Sequence, residues 1–201
     1  MLFALMLTQG VGNPFFPLVE GTRLVYDDTV RPGAWVTNEV GKSETVRGKP
    51  ASPIRSTSQG QDLGAVFYRT EGDSVLIVGH GAATPYPQPW PLFRLPEGKR
   101  EATWSYEGDM PVFGEPMAMQ LSGKAVLGGR RKVLDRDVDV LLVEIDITAS
   151  SGEVVVKNHQ SCMYAREIGL VEMKEVARVA GQPREHTIKL VRIETPGGRS
   201  G

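Results

Sequence analysis

The stretch Asp137 to Thr148 constrains this chain more than any other. Val138, Val140 and Leu142 lie on one side of an extended chain, followed there by Glu144, Asp146 and Thr148. Leu141, Val143, Ile145 and Ile147 lie on the other side, preceded by Asp137 and Asp139. A β-strand has a side-chain period of two, so a flat, half-buried strand keeps one apolar face throughout. Here the apolar face changes midway. Either a β-bulge near residues 140–142 flips the register, or the middle of the strand is covered on both faces. Both arrangements call for a strongly curved sheet.

The rest of the sequence agrees with a strand-rich fold. Twenty-three glycines and 14 prolines in 201 residues suit many short strands joined by turns and argue against long helices. Thr22 to Val30 reads as a strand, Arg31-Pro32-Gly33 as a turn, Ala34 to Val40 as a second strand and Glu44 to Arg47 as a short third. Residues 48–63 read as a loop. Gly64 to Thr70 and Ser74 to Gly79 form a hairpin about a turn at Gly72. Residues 80–99 carry Pro85, Pro87, Pro89, Pro91 and Pro96, which cannot donate to a ladder, so this segment is predicted to be an extended connector closing one end of the sheet. Ala102 to Tyr106 is a strand, and residues 107–115 a turn. Met117, Met119, Leu121, Ala125 and Leu127 alternate with polar or small residues as one strand, with Gly123 marking a bulge or bend. A turn follows at Gly128-Gly129, with Arg130-Arg131-Lys132 at the hairpin tip. Glu153 to Asn158 with Ser161 to Ala165, residues 168–180 and Thr187 to Ile193 complete the series. Leu170, Met173, Ala177 and Ala180 also fit helical spacing, but the Gly169 start and the surrounding strands favour a strand over 168–180. The expected fold is all-β, a strongly twisted antiparallel sheet, half-barrel or sandwich, with about ten to twelve strands and little helix.

With 40% hydrophobic residues the chain can bury a core. A net charge of −1 lacks the electrostatic footprint of a nucleic-acid binder. One cysteine, Cys162, excludes an intramolecular disulfide. The apolar run Met1 to Leu7 is shorter than the roughly 20 residues that span a bilayer. It resembles the hydrophobic part of a secretory signal, so residues 1–12 are read as a partial signal peptide and the protein as exported, periplasmic or extracellular, with no transmembrane span. Residues 13–195 are read as a single β domain and residues 196–201 as a flexible tail.

Three motifs recur along the chain. Phe16-Pro17-Leu18-Val19-Glu20-Gly21-Thr22-Arg23-Leu24-Val25-Tyr26 forms an aromatic plug, a tight turn and a strand with Leu24 and Tyr26 on one face. Leu95-Pro96-Glu97-Gly98 leads to Trp104 and Tyr106. Tyr164-Ala165-Arg166-Glu167-Ile168-Gly169-Leu170-Val171 comes late. In this order they resemble a family of exported bacterial proteins of unknown function that share F-P-L-x-x-G-x-x-W-x-Y strand starts and a late Y-A-x-x-x-G-L-V element. Leu24 stands where that family has a first tryptophan. The resemblance implies an all-β, strongly twisted sheet or half-barrel, reached through a signal peptide, and no established catalytic residues.

Few residues could carry chemistry. The histidines are His80, His159 and His186. His159 and Cys162 are three apart, which places them on opposite faces of a strand and is wrong for a Cys/His pair or shared metal ligation. His80, between Gly79 and Gly81, is a candidate general base with nothing nearby to complete a triad. Asp135, Asp137 and Asp139 alternate, but Val140 and Asp146 stand where a calcium loop needs Gly and Glu. No catalytic residue, metal site or cofactor is therefore assigned. The Met117/Met119/Leu121 stripe and the aromatic segments favour a non-enzymatic binding module for a protein partner or a lipid-like ligand on the concave face of the sheet. The alternatives are a hydrolase or metal-dependent enzyme using His80 or the Asp135/Asp137/Asp139 cluster, and a structural component of the cell envelope. The ligand version requires a cavity on the inner face.

Overall fold

The structure is a computed structural model that describes residues 12–29, 33–112, 115–152, 154–179 and 182–196. The predicted leader, apart from Gly12, the tail beyond Pro196 and most of the predicted turn at Arg31-Pro32 lie outside them. The described residues contain thirteen strands and no helix. In chain order they are β1 (Arg23–Asp28), β2 (Trp35–Val40), β3 (Glu44–Val46), β4 (Lys49–Ser58), β5 (Gln61–Glu71), β6 (Ser74–His80), β7 (Pro85–Arg94), β8 (Glu101–Val112), β9 (Glu115–Val133), β10 (Arg136–Ser151), β11 (Val154–Ala165), β12 (Gly169–Val179) and β13 (Gln182–Glu194). Twelve of them form one antiparallel path in the order β7-β6-β5-β4-β2-β1-β13-β12-β11-β10-β9-β8, and β3 pairs with β4. Strands adjacent in sequence are mostly adjacent in space, and the path returns on itself through the β1–β13 pairing.

The two ends of the path, β7 and β8, pack against each other, so the sheet curls into a nearly closed barrel. Across this seam the Tyr106 hydroxyl donates to the Gln88 carbonyl at 3.3 Å. Curvature comes from a series of bulges. Leu63, Val78, Leu92, Gly128, Val171 and Val191 are each an extra residue opposite a pair on the neighbouring strand. A bulge bends its strand and raises the local twist.

The change of face along Asp137–Thr148 is explained by one of these. The β9–β10 register shifts between Val140 and Leu141, where Gly128 has no partner and Gly129 sits at φ +73°. Val140 and Leu141 are both buried. Leu141, Val143 and Ile145 enter the barrel core, while Val140 packs with Val133, Ala165, Ile168 and Val171 in a second cluster that extends to Tyr26, Ile188 and Leu190. The bulge and the double coverage are both present.

Several local expectations are overturned. The predicted loop at 48–63 is mostly β4. Its prolines are tolerated by position: Pro50 pairs with β3, and Pro53, whose carbonyl accepts from Gly41 N at 2.8 Å, lies just beyond the end of the β2 pairing, where a missing N–H only ends that ladder. The predicted connector at 80–99 contains β7, an edge strand, where missing donors are harmless. Residues 107–112 continue β8 rather than turning. Gly128-Gly129 is a bulge, not the hairpin turn, which lies at Leu134-Asp135. The segment read either as helix or as strand is strand over Gly169–Val179, β12.

Gly123 is likewise not a bulge. It pairs in register with Trp104 on β8 and Ile145 on β10. A Cβ at Gly123 would overlap the Trp104 indole, with Nε1 2.7 Å away. The glycine makes room for a buried indole to lie flat on the neighbouring strand. Gly123→Ala is therefore expected to displace Trp104 and lower stability by about 2 kcal/mol, the usual scale for overpacking a core. Thermal unfolding checks this; an unchanged melting temperature would contradict the packing described.

Candidate functional site

The segment Asn13–Pro17 closes one end of the barrel. Asn13 Oδ1 accepts from Phe15 N at 3.0 Å, and Phe16 N donates to Asn13 O at 3.0 Å, so the asparagine sets a tight turn that turns the next rings inward. Glu167 N donates to Pro14 O at 2.7 Å, which fastens the segment to the β11–β12 turn. The Arg166 guanidinium lies over the Phe15 ring at 5.0 Å. Phe16 reaches the interior. Its ring centroid is 5.0 Å from Tyr68 on β5, 6.1 Å from Phe93 on β7 and 6.1 Å from Tyr164 on β11. Phe93 and Tyr164 stand 4.7 Å apart. One side chain thus joins β5 and β7, near one end of the sheet path, to β11 in its other half.

Beneath this plug is a cavity of about 250 Å³. Phe16, Pro17, Ile168 and Gly169 line its closed end. Leu24, Ile54, Val66, Ile77, Leu92 and Met173 line its walls with Trp90, Tyr68 and Cys162. Polar side chains enter on the side away from the plug: Asn38, Ser56 and Gln160. Tyr26 borders the cavity and donates its hydroxyl to Leu170 O at 3.0 Å, reaching across β13 to β12. Burial raises the phenol pKa values of Tyr26, Tyr68 and Tyr164 above their ordinary range, with the neighbouring phenols adding to the effect. Burial pushes the Cys162 thiol up to about 12, and the adjacent Tyr164 hydroxyl partly opposes this. These groups are neutral at physiological pH, so the walls present neutral, mostly apolar surface.

The sequence-predicted candidates fall elsewhere. His80 is exposed at the end of β6, with its ring 5.5 Å from Tyr86, and partial burial lowers its pKa. Asp135 lies in the β9–β10 turn and Asp137 faces Lys132. Asp139 pairs with Arg166 at 3.5 Å. Among the described residues no group of three or more His, Cys, Asp or Glu side chains is placed to hold a metal. His159 and Cys162 lie on opposite faces of β11, exposed and buried respectively. The three histidines have no partner in common.

The outer surface carries a row that the sequence did not suggest. Asp146 Oδ1 is 2.9 Å from His159 Nδ1, and His159 Nε2 is 3.3 Å from Ser161 Oγ. This is the connectivity of a Ser-His-Asp triad, but Ser161 donates to Glu144 Oε2 at 2.7 Å, and the same carboxylate oxygen is 3.0 Å from Nε2. The carboxylate holds the hydroxyl proton that a nucleophile would pass to the imidazole. The row lies along the paired β10–β11 ladder, so the backbone amides beside it are committed to the sheet, leaving no oxyanion hole. It is a cross-strand polar ladder on a solvated face. Its signal in the sequence is the alternation Glu144, Asp146 against His159, Ser161, which becomes meaningful only once the β10–β11 register is known.

Fold and site together define a class: a nearly closed antiparallel β-barrel with a plugged end and an apolar internal cavity. No family model matches the chain, and no curated protein matches it. Two solved structures are similar in outline. One is a Bacteroides fragilis protein named as exported and as having a YmcC-like fold, with 11% identity, a TM-score of 0.47, and coverage of 92% of this chain and 100% of its own. The other is a Parabacteroides distasonis protein named as a lipoprotein, with 9% identity, a TM-score of 0.43, and coverage of 90% and 99%.

Cys162 reports on the closure of this cavity. A thiol reacts through its thiolate, which burial suppresses. In the native protein at pH 8, Cys162 is expected to resist a disulfide-exchange reagent for hours and to react at once in denaturant. Rapid native labelling would contradict the enclosed wall.

Proposed function

We propose that the protein is an exported, non-enzymatic binding module that holds a small lipid-like ligand inside its barrel. The observation that carries this reading is the apolar cavity beneath Phe16. Small-molecule sites are concave and mostly apolar, with a few polar groups that fix orientation, and Asn38, Ser56 and Gln160 are such groups. Empty space lined by aliphatic and aromatic side chains costs dispersion contacts, which a ligand tail would restore. The apolar run Met1 to Leu7 and the three sequence motifs support export, and with it membership of the exported family they resemble. The cavity favours a small ligand over a protein partner as the occupant of the inner face. Against an enzyme reading stand the separate surroundings of His80, His159 and His186 and the carboxylate that occupies Ser161.

Native mass spectrometry of the protein purified from its own host tests the proposal. A non-covalent adduct of a few hundred daltons is expected. It is expected to be absent from a Val66→Trp variant, whose indole would fill the cavity, while circular dichroism shows the variant folded. Wild-type protein that carries no adduct and takes up no short-chain alcohol in solution would contradict the proposal.

A further inference from the structure

The inner face changes character away from the plug. Outward from Cys162 and Met173, the next positions on that face are Gln160 and Glu175, which pair across β11 and β12. Outward from Ile188 on β13 is His186, which pairs with Glu175. Asn158 follows Gln160 on the same face. These side chains form one connected set. Asn158 Nδ2 and Gln160 Nε2 both donate to Glu175 Oε1, the latter at 3.4 Å. His186 Nδ1 is 3.9 Å from Glu175 Oε2, and His186 Nε2 is 3.2 Å from Asp28 Oδ1. Solvent reaches this end: the His186 side chain is 35% exposed and that of Glu175 25%, whereas Phe15 and Phe16 at the plug are 2% and 7% exposed. The cavity is therefore capped by rings at one end, and the polar set begins just beyond Gln160 and Met173, which line it at the other.

The opening is rich in acceptors. It holds two carboxylates, from Asp28 and Glu175, and the buried Asn158 Oδ1, which has no hydrogen-bond partner. The imidazole of His186 lies between the carboxylates, and Arg184, the next position outward on that face of β13, is exposed. An ammonium group has three donors and no acceptor, which complements this set. A carboxylate or phosphate would approach Asp28 and Glu175 as a like charge in a partly desolvated place. The cavity sets the tail. At about 30 Å³ per water-sized group, about 250 Å³ holds roughly eight such groups.

We propose that Glu175, Asp28, His186 and Asn158 form the head-group subsite for a single-chain amphiphile with a protonated amine head and a tail of about eight carbons in the cavity. This rests on the cavity being a ligand site, as proposed above. Glu175 is the central anchor because Asn158 and Gln160 hold its carboxylate toward the opening from one side and His186 stands on the other.

Three probes of one tail length separate head from tail: octylamine, 1-octanol and octanoate, titrated at pH 7 and read by tryptophan fluorescence, since Trp90 lines the cavity. Octylamine is expected to bind at least about tenfold more tightly than octanoate, with octanol between them. Glu175→Gln, which keeps shape and hydrogen bonding, is expected to remove most of the preference for amine over octanol. Octanoate binding as tightly as octylamine, or a preference that survives Glu175→Gln, would overturn the head-group assignment alone. Failure of all three probes to bind would overturn the cavity reading as well.

Discussion

The contact of Phe16 with Tyr68, Phe93 and Tyr164 is the interaction on which the rest of the barrel depends. A sheet with twelve strands in its path and two unpaired edges is open along one side and wet on its inner face. Closing it through a full ladder would bind β7 to β8 by backbone hydrogen bonds. This chain instead brings those edges together by side-chain packing, one tyrosine hydrogen bond across the seam and an aromatic ring inserted from the N-terminal side. Phe16 touches strands on both halves of the path, so its burial draws them toward a common centre. Fully burying one such ring contributes about 1.5–3 kcal/mol, and offset aromatic pairs add about 0.5–1.5 kcal/mol each. That is comparable to a sizeable part of the stability of a domain this size.

The same plug explains why a cavity exists. Bulges at Gly128, Val171 and Val191 bend the long strands, while the β4–β7 half bends at Leu63, Val78 and Leu92. The side chains at the middle of the inner face are then of moderate size: Leu24, Ile54, Val66 and Cys162. They do not meet across the interior. Other large rings, Trp104, Tyr106 and Phe93, pack in the core outside the cavity lining. Space remains between the aromatic end and the polar opening at Glu175 and His186.

Much of this was readable from the residues. The changing face of Asp137–Thr148 pointed to a bulge or to a strand covered on both faces, and in either case to a curved sheet; the structure has both. The ring pair at Phe15-Phe16 after Asn13-Pro14 marked a plug. Local rules failed where pairing partners decide the outcome. Pro50 and Pro53 look like loop residues until Pro50 is seen to pair with the short strand β3 and Pro53 to lie where the β2 ladder ends. Gly123 reads as a bulge and Gly128-Gly129 as a turn, yet it is Gly128 that has no partner on β10, while Gly123 pairs in register and lies beneath Trp104. The site was less legible than the fold. The sequence pointed to a concave face with a possible ligand. It did not bring together Asp28, Glu175 and His186, which come from β1, β12 and β13; Asp28 and His186 meet although 158 positions apart.

Whether the barrel encloses a dry apolar space beneath Phe16 is the point most directly open to measurement. Apolar cavities of about 150 Å³ stay free of water and take up xenon, and the part of this cavity beneath Phe16 has that kind of lining. A crystal pressurised with xenon is expected to show an ordered xenon atom among Phe16, Trp90, Cys162 and Met173. Side chains collapsed into that volume, or a hydrogen-bonded water chain occupying it with no xenon uptake, would contradict the account.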